Sequence, residues 1–162
     1  EAAVQRAQKL AQKKPFSGCP GMRAKQFQRS TAPAAGAACP SQLSQWPVQI
    51  KLAGVMAPYF DDADLLIAAD CTAYAYGNFH EKFIRGRITL IGCPKLDAVD
   101  YAEKLTAIFA AHSIRSVTVA RMEVPCCGGI EQAVQRAIAA SGKAISCHVT
   151  VIETDGTIQE ER

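Results

Sequence analysis

The chain has 162 residues, 49% hydrophobic and 20% charged, which is enough apolar material for one core and too little length for two full-sized domains. A net charge of +3 with both signs scattered, and no Lys/Arg stripe interleaved with aromatics, speaks against a surface that tracks nucleic acid, and no apolar run approaches the roughly 18 residues needed to span a bilayer. The 7 cysteines include no C-x-x-C pair, which argues against a secreted disulfide framework and a zinc ribbon, and for a reducing, cytoplasmic setting where thiols serve as ligands or core residues.

The first residue is Glu rather than Met, and the charged start is unlike a signal peptide, so the expectation is a piece of a longer polypeptide. Residues 1–13 carry Val4, Ala7, Leu10 and Ala11 at helical spacing, predicting a short amphipathic helix. An arm dense in turn formers follows, Pro15-Phe16-Ser17-Gly18-Cys19-Pro20-Gly21, then basic residues around Arg23, Lys25 and Arg29, and an Ala/Gly/Pro linker from Ser30 to Pro40. Residues 1–40 thus read as helix, arm and linker, and 41–162 as an α/β domain.

Within that domain Val48, Ile50 and Leu52 alternate with Gln49 and Lys51, predicting a strand with one solvated face. Asp64 to Ala69, Ile88 to Ile91, Ser116 to Val124 and Ile145 to Ile152 are continuous apolar runs of the kind buried on both faces of a sheet; in the last, Ile145, Cys147, Val149 and Val151 share one face. Helical patterns separate them: about Asn78 to Ile84 ending near Gly86, Asp97 to Ala111 with Asp97 as its N-cap, and Ile130 to Ser141 stopped by Gly142. The alternation predicts a small, doubly wound, mostly parallel sheet with helices on both faces, a Rossmann-like arrangement.

The residues after each buried strand carry the chemistry. Asp70-Cys71, Gly92-Cys93-Pro94 and Glu123-Val124-Pro125-Cys126-Cys127-Gly128-Gly129 follow three successive strands, so parallel pairing delivers cysteine to one edge, where open α/β sheets bind their ligands. Neighbouring strands lie roughly 4.8 Å apart. A metal–sulfide cluster bridges such a span, whereas one zinc ion needs every sulfur at about 2.3 Å. Gly128-Gly129 opens a helix whose free N–H groups and positive dipole end suit an anionic cluster, and Lys95 is a cation placed to raise its potential. Cys19, in a turn that could fold back onto the site, is a further candidate ligand. Cys147 reads as core and Cys39 as incidental, and cysteine at the strand ends could also be plain packing. Asp70, Asp97 and Glu123 are charged neighbours that could modulate the site. His80, His112 and His148 suggest a half-exposed helical residue, a helix end and an edge strand.

The string Ser41 to Gln49, with Ala68-Ala69-Asp70-Cys71, Ile91 to Asp97 and Met122 to Gly129, resembles a family of bacterial and archaeal ferredoxin-like iron–sulfur proteins, and Gly18-Cys19-Pro20-Gly21 is similar to that family's arm motif. The resemblance spans about residues 16–155. It implies an upstream ferredoxin domain with two [4Fe-4S] clusters, and it points to Cys19, Cys71, Cys93, Cys126 and Cys127 as ligands while leaving out Cys39 and Cys147. The spacing from Cys93 to Cys126-Cys127 also resembles heterodisulfide reductase domains that hold noncubane clusters, without their later C-x-x-C.

The leading functional expectation is electron transfer through one cluster, [4Fe-4S] or noncubane, exchanging electrons with a fused or separate ferredoxin or another redox protein. The alternative is an enzyme using an open iron or a reactive, low-pKa thiol of the Cys126-Cys127 pair. A nucleotide-binding or regulatory module ranks last, because no phosphate-binding glycine motif follows a strand. No catalytic residue is assigned, and both monomer and homodimer stay open.

Overall fold

The computed structural model describes Gly36 and residues 38–162, and the helix expected over 1–13 and Cys19 lie outside the described residues. Five strands form one sheet: β1 (Asp64–Ala69), β2 (Ile88–Gly92), β3 (Ser116–Met122), β4 (Ser146–Ile152) and β5 (Ile158–Glu161), in spatial order β2-β1-β3-β4-β5. The first four run parallel, and β5 returns antiparallel to β4. The helices are α1 (Thr72–Ala75), α2 (Tyr101–Ala111) and α3 (Gly128–Ser141), with a π-helical turn at His80–Ile84.

The apolar runs become strands because both of their faces are covered. On the first face Leu65, Ile67, Leu90, Val117, Val119, Val149 and Val151 pack with Leu105, Ile108 and Phe109 of α2 and Ile130, Val134 and Ala137 of α3. On the second, Leu66, Ala68, Ala120 and Ile152 meet Phe79, Phe83 and Ile84. Each Val, Leu, Ile or Phe side chain among them stabilises the fold by about 1.5–3 kcal/mol on leaving water. Cys147 packs against the first core, as its register predicts. Gly142 ends α3 in the left-handed conformation at φ 71°, which glycine adopts without a Cβ clash.

Several local expectations are corrected. Val48–Leu52 is not a strand: one bridge joins Gln49 to Ile91, after which the N–H groups of Leu52 and Ala53 turn back onto the Gln49 carbonyl and Leu52 is left exposed. The Gln45 side chain occupies the same β2 edge, donating to the Thr89 carbonyl and accepting from the Thr89 N–H at 3.1 Å. Asp97 does not cap α2. That role falls to Asp100, whose carboxylate accepts from the Ala102 N–H at 3.0 Å, because Cys93 to Asp97 form their own turn first. The segment before Gly86 is wound more loosely than an α-helix, with the Arg85 N–H reaching the His80 carbonyl at 2.9 Å. His112 is fully enclosed, its ring nitrogens 2.7 Å from the Asp61 carboxylate and from the Val55 carbonyl, so it anchors the 55–61 segment.

Under the sheet, Glu131 is buried and accepts from Arg121 Nε at 2.7 Å and from Arg162 at 2.5 Å. Burial alone would raise its carboxyl, but the two guanidinium groups outweigh this and hold it below the ordinary range. A depressed folded-state value makes the network's contribution present above the unfolded carboxylate range and lost as pH falls through the folded value. Glu131→Ala leaves Arg121 largely buried without its anion and is expected to cost about 3 kcal/mol at neutral pH. Denaturant unfolding at pH 7 and at pH 3 checks this, since the gap between parent and variant should narrow in acid.

Candidate functional site

β1 ends at Ala69, and Cys71 follows as the N-cap of α1, its carbonyl accepting from the N–H groups of Tyr74 and Ala75 at 3.2 and 3.1 Å. β2 ends at Gly92, and the Cys93 carbonyl closes a tight turn by accepting from the N–H groups of Leu96 and Asp97 at 3.2 and 2.9 Å. β3 leads into a short 3-10 turn, Pro125–Cys127, and Cys127 becomes the N-cap of the fourteen-residue α3. Since β2, β1 and β3 are spatial neighbours with Ala69 opposite Gly92 and Ala68 opposite Ala120, the three cysteine-bearing segments leave the sheet side by side.

This place has a topological meaning. After β1 the chain passes to the second face, towards Phe79 and Phe83, and after β3 it passes to the first face as α3. Adjacent parallel strands whose connections diverge in this way open a crevice at their carboxyl ends, where doubly wound sheets bind ligands.

The thiols are close enough to feel one another. Burial pushes the Cys71 thiol up, and Cys93, Asp70 and Cys126 add to the shift. Cys127 is pushed up to about 11, first by burial, with Cys126, Cys71 and Cys93 contributing and a hydrogen bond from the Met122 N–H opposing. Cys71 is exposed, Cys93 and Cys126 are half-buried, and Cys127 is buried in the second core. The low-pKa thiol sought at the start of α3 is therefore not Cys127, where burial outweighs the helix end. Cys39, by contrast, lies exposed in the segment before Gln45. Among the described residues all six cysteines are free thiols, and no group of three or more His, Cys, Asp or Glu could hold a single metal ion. Thiols spread over three strand ends do not converge on one point.

Two glycines shape the crevice. A Cβ on Gly129 would stand 3.1 Å from Pro94 Cβ, so the glycine lets the Cys93 turn close onto the first turn of α3. Gly128 has open space around it and is not required by packing. A Cβ on Gly92 would fall 2.5 Å from the Tyr101 hydroxyl, so the Tyr101 ring lies across the end of β2. That hydroxyl donates to Asp97 and is reached by the Cys93 N–H, and burial followed by the Asp97 hydrogen bond raises its pKa far above the phenolic range.

Asp70 has one carboxylate oxygen buried without a hydrogen-bond partner. Its pKa is raised first by burial and then by Asp97, with Gln49 pulling the other way. Glu123 is tied to the β4–β5 turn, accepting from the Thr154 N–H and hydroxyl at 3.1 Å each, while Lys95 is exposed on the Cys93 turn. His80 accepts from the Gln42 N–H at 3.1 Å, and exposed His148 lies 3.3 Å from the Ser146 hydroxyl, both away from the cysteines. Sequence reasoning missed Tyr101 and Gln49. The Asp97–Tyr101 spacing of four was the only available signal, and without the turn at Cys93 it read as ordinary helix.

Residues 57–162 match the family model described as a Rossmann-like domain. Over 118 residues the chain is 28% identical to an uncharacterized protein of Archaeoglobus fulgidus, covering 73% of this chain and 84% of that protein. No solved structure matches the chain. No helix among the described residues is long and apolar enough to cross a membrane.

Proposed function

The chain belongs to the Rossmann-like domain family, and from that premise we propose that its switch-point crevice holds an iron–sulfur cluster and that the protein transfers electrons. The observation that carries this reading is the placement of four thiols, Cys71, Cys93, Cys126 and Cys127, just beyond the carboxyl ends of three adjacent parallel strands. Burial holds Cys71 and Cys127 in the protonated form, and bound metal would displace those protons and stabilise the thiolates.

The surroundings fit such a group. The first turn of α3 has no side-chain cap, and although the Gly128 N–H is spent on the Pro125 carbonyl, the positive end of the helix dipole lies at the crevice. The Gly129–Pro94 contact holds the Cys93 turn against that helix end, and Tyr101 pins the same turn through Asp97. Lys95 supplies the nearby cation of the Cys93 turn. When bound, the cluster would supply one-electron exchange, with [4Fe-4S] favoured by the count of four thiols and a noncubane form as the variant. The motif resemblance to ferredoxin-like proteins supports the same cofactor, adds Cys19 as a fifth thiol, and makes a ferredoxin domain, fused or separate, the natural electron partner in a reducing cytoplasm.

Anaerobically purified protein is expected to be brown, with iron and acid-labile sulfide in near-equal amounts and an electron paramagnetic resonance signal on reduction. A colourless anaerobic preparation without labile sulfide overturns the proposal. One observation favours the enzymatic reading, in which the site also binds substrate: Cys71 is exposed while Cys127 is buried, so one side of the crevice is open. Selective alkylation of Cys71 with parallel loss of a turnover activity would establish it.

A further inference from the structure

A second site lies on the other half of the sheet. On the second face, where the π-helical turn stops short of β4 and β5, Lys82, Phe83, Arg87, Thr118, His148 and Thr150 line a groove of about 460 Å³. Its floor is made by the strands: Thr118 stands beside His148 in the β3–β4 register, and Thr150 stands opposite Glu161 in the β4–β5 register. An apolar floor would be expected where a helix is to be laid on a sheet, and this floor carries hydroxyl and imidazole groups instead.

Arg87 is the centre of the groove's chemistry. One guanidinium nitrogen donates to the carbonyls of Lys82 and Phe83 at 3.1 and 2.9 Å, which fixes the plane of the group. The residue is half-buried, and among the described residues no carboxylate pairs with it. The other charges here are already matched: Lys82 faces Glu161 at 2.9 Å, and the Arg162 guanidinium is held by Glu131 and Glu160. Thr118 and Thr150 are both buried, and among the described residues neither hydroxyl has a hydrogen-bond partner. A half-buried cation with no counter-charge, beside two hydroxyls that face the groove without a protein partner, leaves its donors directed to whatever occupies the groove, and an anion suits them.

We infer that this groove binds the phosphate group of a small phosphomonoester, independently of the cysteine crevice. Three kinds of donor converge from different directions: the rest of the Arg87 fork, the two threonine hydroxyls, and His148 at the side. A tetrahedral phosphate has three terminal oxygens to meet them at once, while a planar carboxylate has two and suits a single fork. The volume exceeds what one phosphate fills, and the Phe83 ring gives the remainder an apolar wall.

The test is calorimetric titration of the full chain, at constant ionic strength, with inorganic phosphate, adenosine 5′-monophosphate and succinate. The monophosphate is expected to bind more tightly than phosphate, and succinate more weakly than either. Arg87→Gln should weaken monophosphate binding about tenfold, the value of a charge-assisted bond. Because Arg87 also holds the turn, Thr118→Val/Thr150→Val is the second variant; it keeps shape and charge and should weaken binding several-fold with an unchanged melting temperature. Absence of binding by both phosphate ligands, or full affinity in both variants, overturns the inference. Equal affinity for phosphate and monophosphate overturns the ester, and succinate binding as tightly as phosphate overturns the ligand class. None of these readouts involves iron, so the outcome is separate from that of the cluster proposal.

Discussion

Cys93→Ser, Cys126→Ser and Cys71→Ser, each made singly, are expected to strip the anaerobically isolated protein of its visible absorption and labile sulfide, whereas Cys39→Ser and Cys147→Ser leave both unchanged. Altering a group behind a metal ligand costs about 10–100-fold in affinity, so loss of a ligand should cost at least as much. The contrast with Cys147 is the informative part. Cys147 is as buried as some of the crevice thiols, but it packs on the first core, and its thiol is raised by burial and by Glu131 rather than by other cysteines. Cys127→Ser should lose the cluster and also destabilise the fold, because the side chain is buried in the second core. Iron and sulfide analysis of the six variants decides the matter. If Cys93 and Cys126 variants stay fully loaded, the crevice is not the cluster site.

Gly156→Ala is expected to produce the largest loss of stability of any Gly→Ala change among the described residues. Gly156 sits at φ 97°, where an L-residue is strained, and a Cβ there would lie 2.3 Å from the Ala75 carbonyl oxygen. Neither partner can swing away, since the obstacle is backbone at the end of α1 and the glycine is inside the turn closing β4 onto β5. Strain and overpacking together should cost about 2–4 kcal/mol, roughly 5–15 °C in melting temperature for a domain of this size. The effect should also reach the crevice. α1 is only four residues long and begins at the Cys71 cap, so displacing its far end shifts Cys71. Thermal unfolding measures the first effect, and the rate of Cys71 alkylation in apo-protein relative to Cys126 measures the second. Gly128→Ala is the control, because nothing lies within 4 Å of a Cβ there.

The four parallel strands were legible because burial on both faces writes a continuous apolar run, and the shared edge of Cys71, Cys93 and Cys126-Cys127 follows from strand direction alone. β5 was not legible by that criterion: Ile158–Glu161 is short and mostly exposed, and its signal was the Asp155-Gly156 turn rather than its own hydrophobicity. The start of α2 was misplaced because Asp97 and Asp100 are equally good caps in sequence, and only the turn at Cys93 decides between them. The Asp70–Gln49 and Tyr101–Asp97 contacts at the crevice depend on which side chains fill the space above Gly92, and no periodicity encodes that. The Arg87 groove was hidden for a related reason. Its donors come from β3, β4 and the segment before β2, and they meet only through strand order.

The Gln45 amide on the β2 edge has a consequence for how copies of the chain can meet. An open outer strand is a template on which another chain can extend the sheet, and the Gln45 side chain fills that template at Thr89 by imitating a backbone residue, with Gln49 continuing at Ile91. The opposite margin is β5, four residues long and ending in Glu160 and Glu161, with Arg162 directly after it. Both selvages of the sheet are thus finished off, one by an amide mimic and one by a short charged strand. A homodimer of this chain would therefore be built from helix or loop surfaces and not by strand addition, and the same guarding protects it from edge-to-edge aggregation.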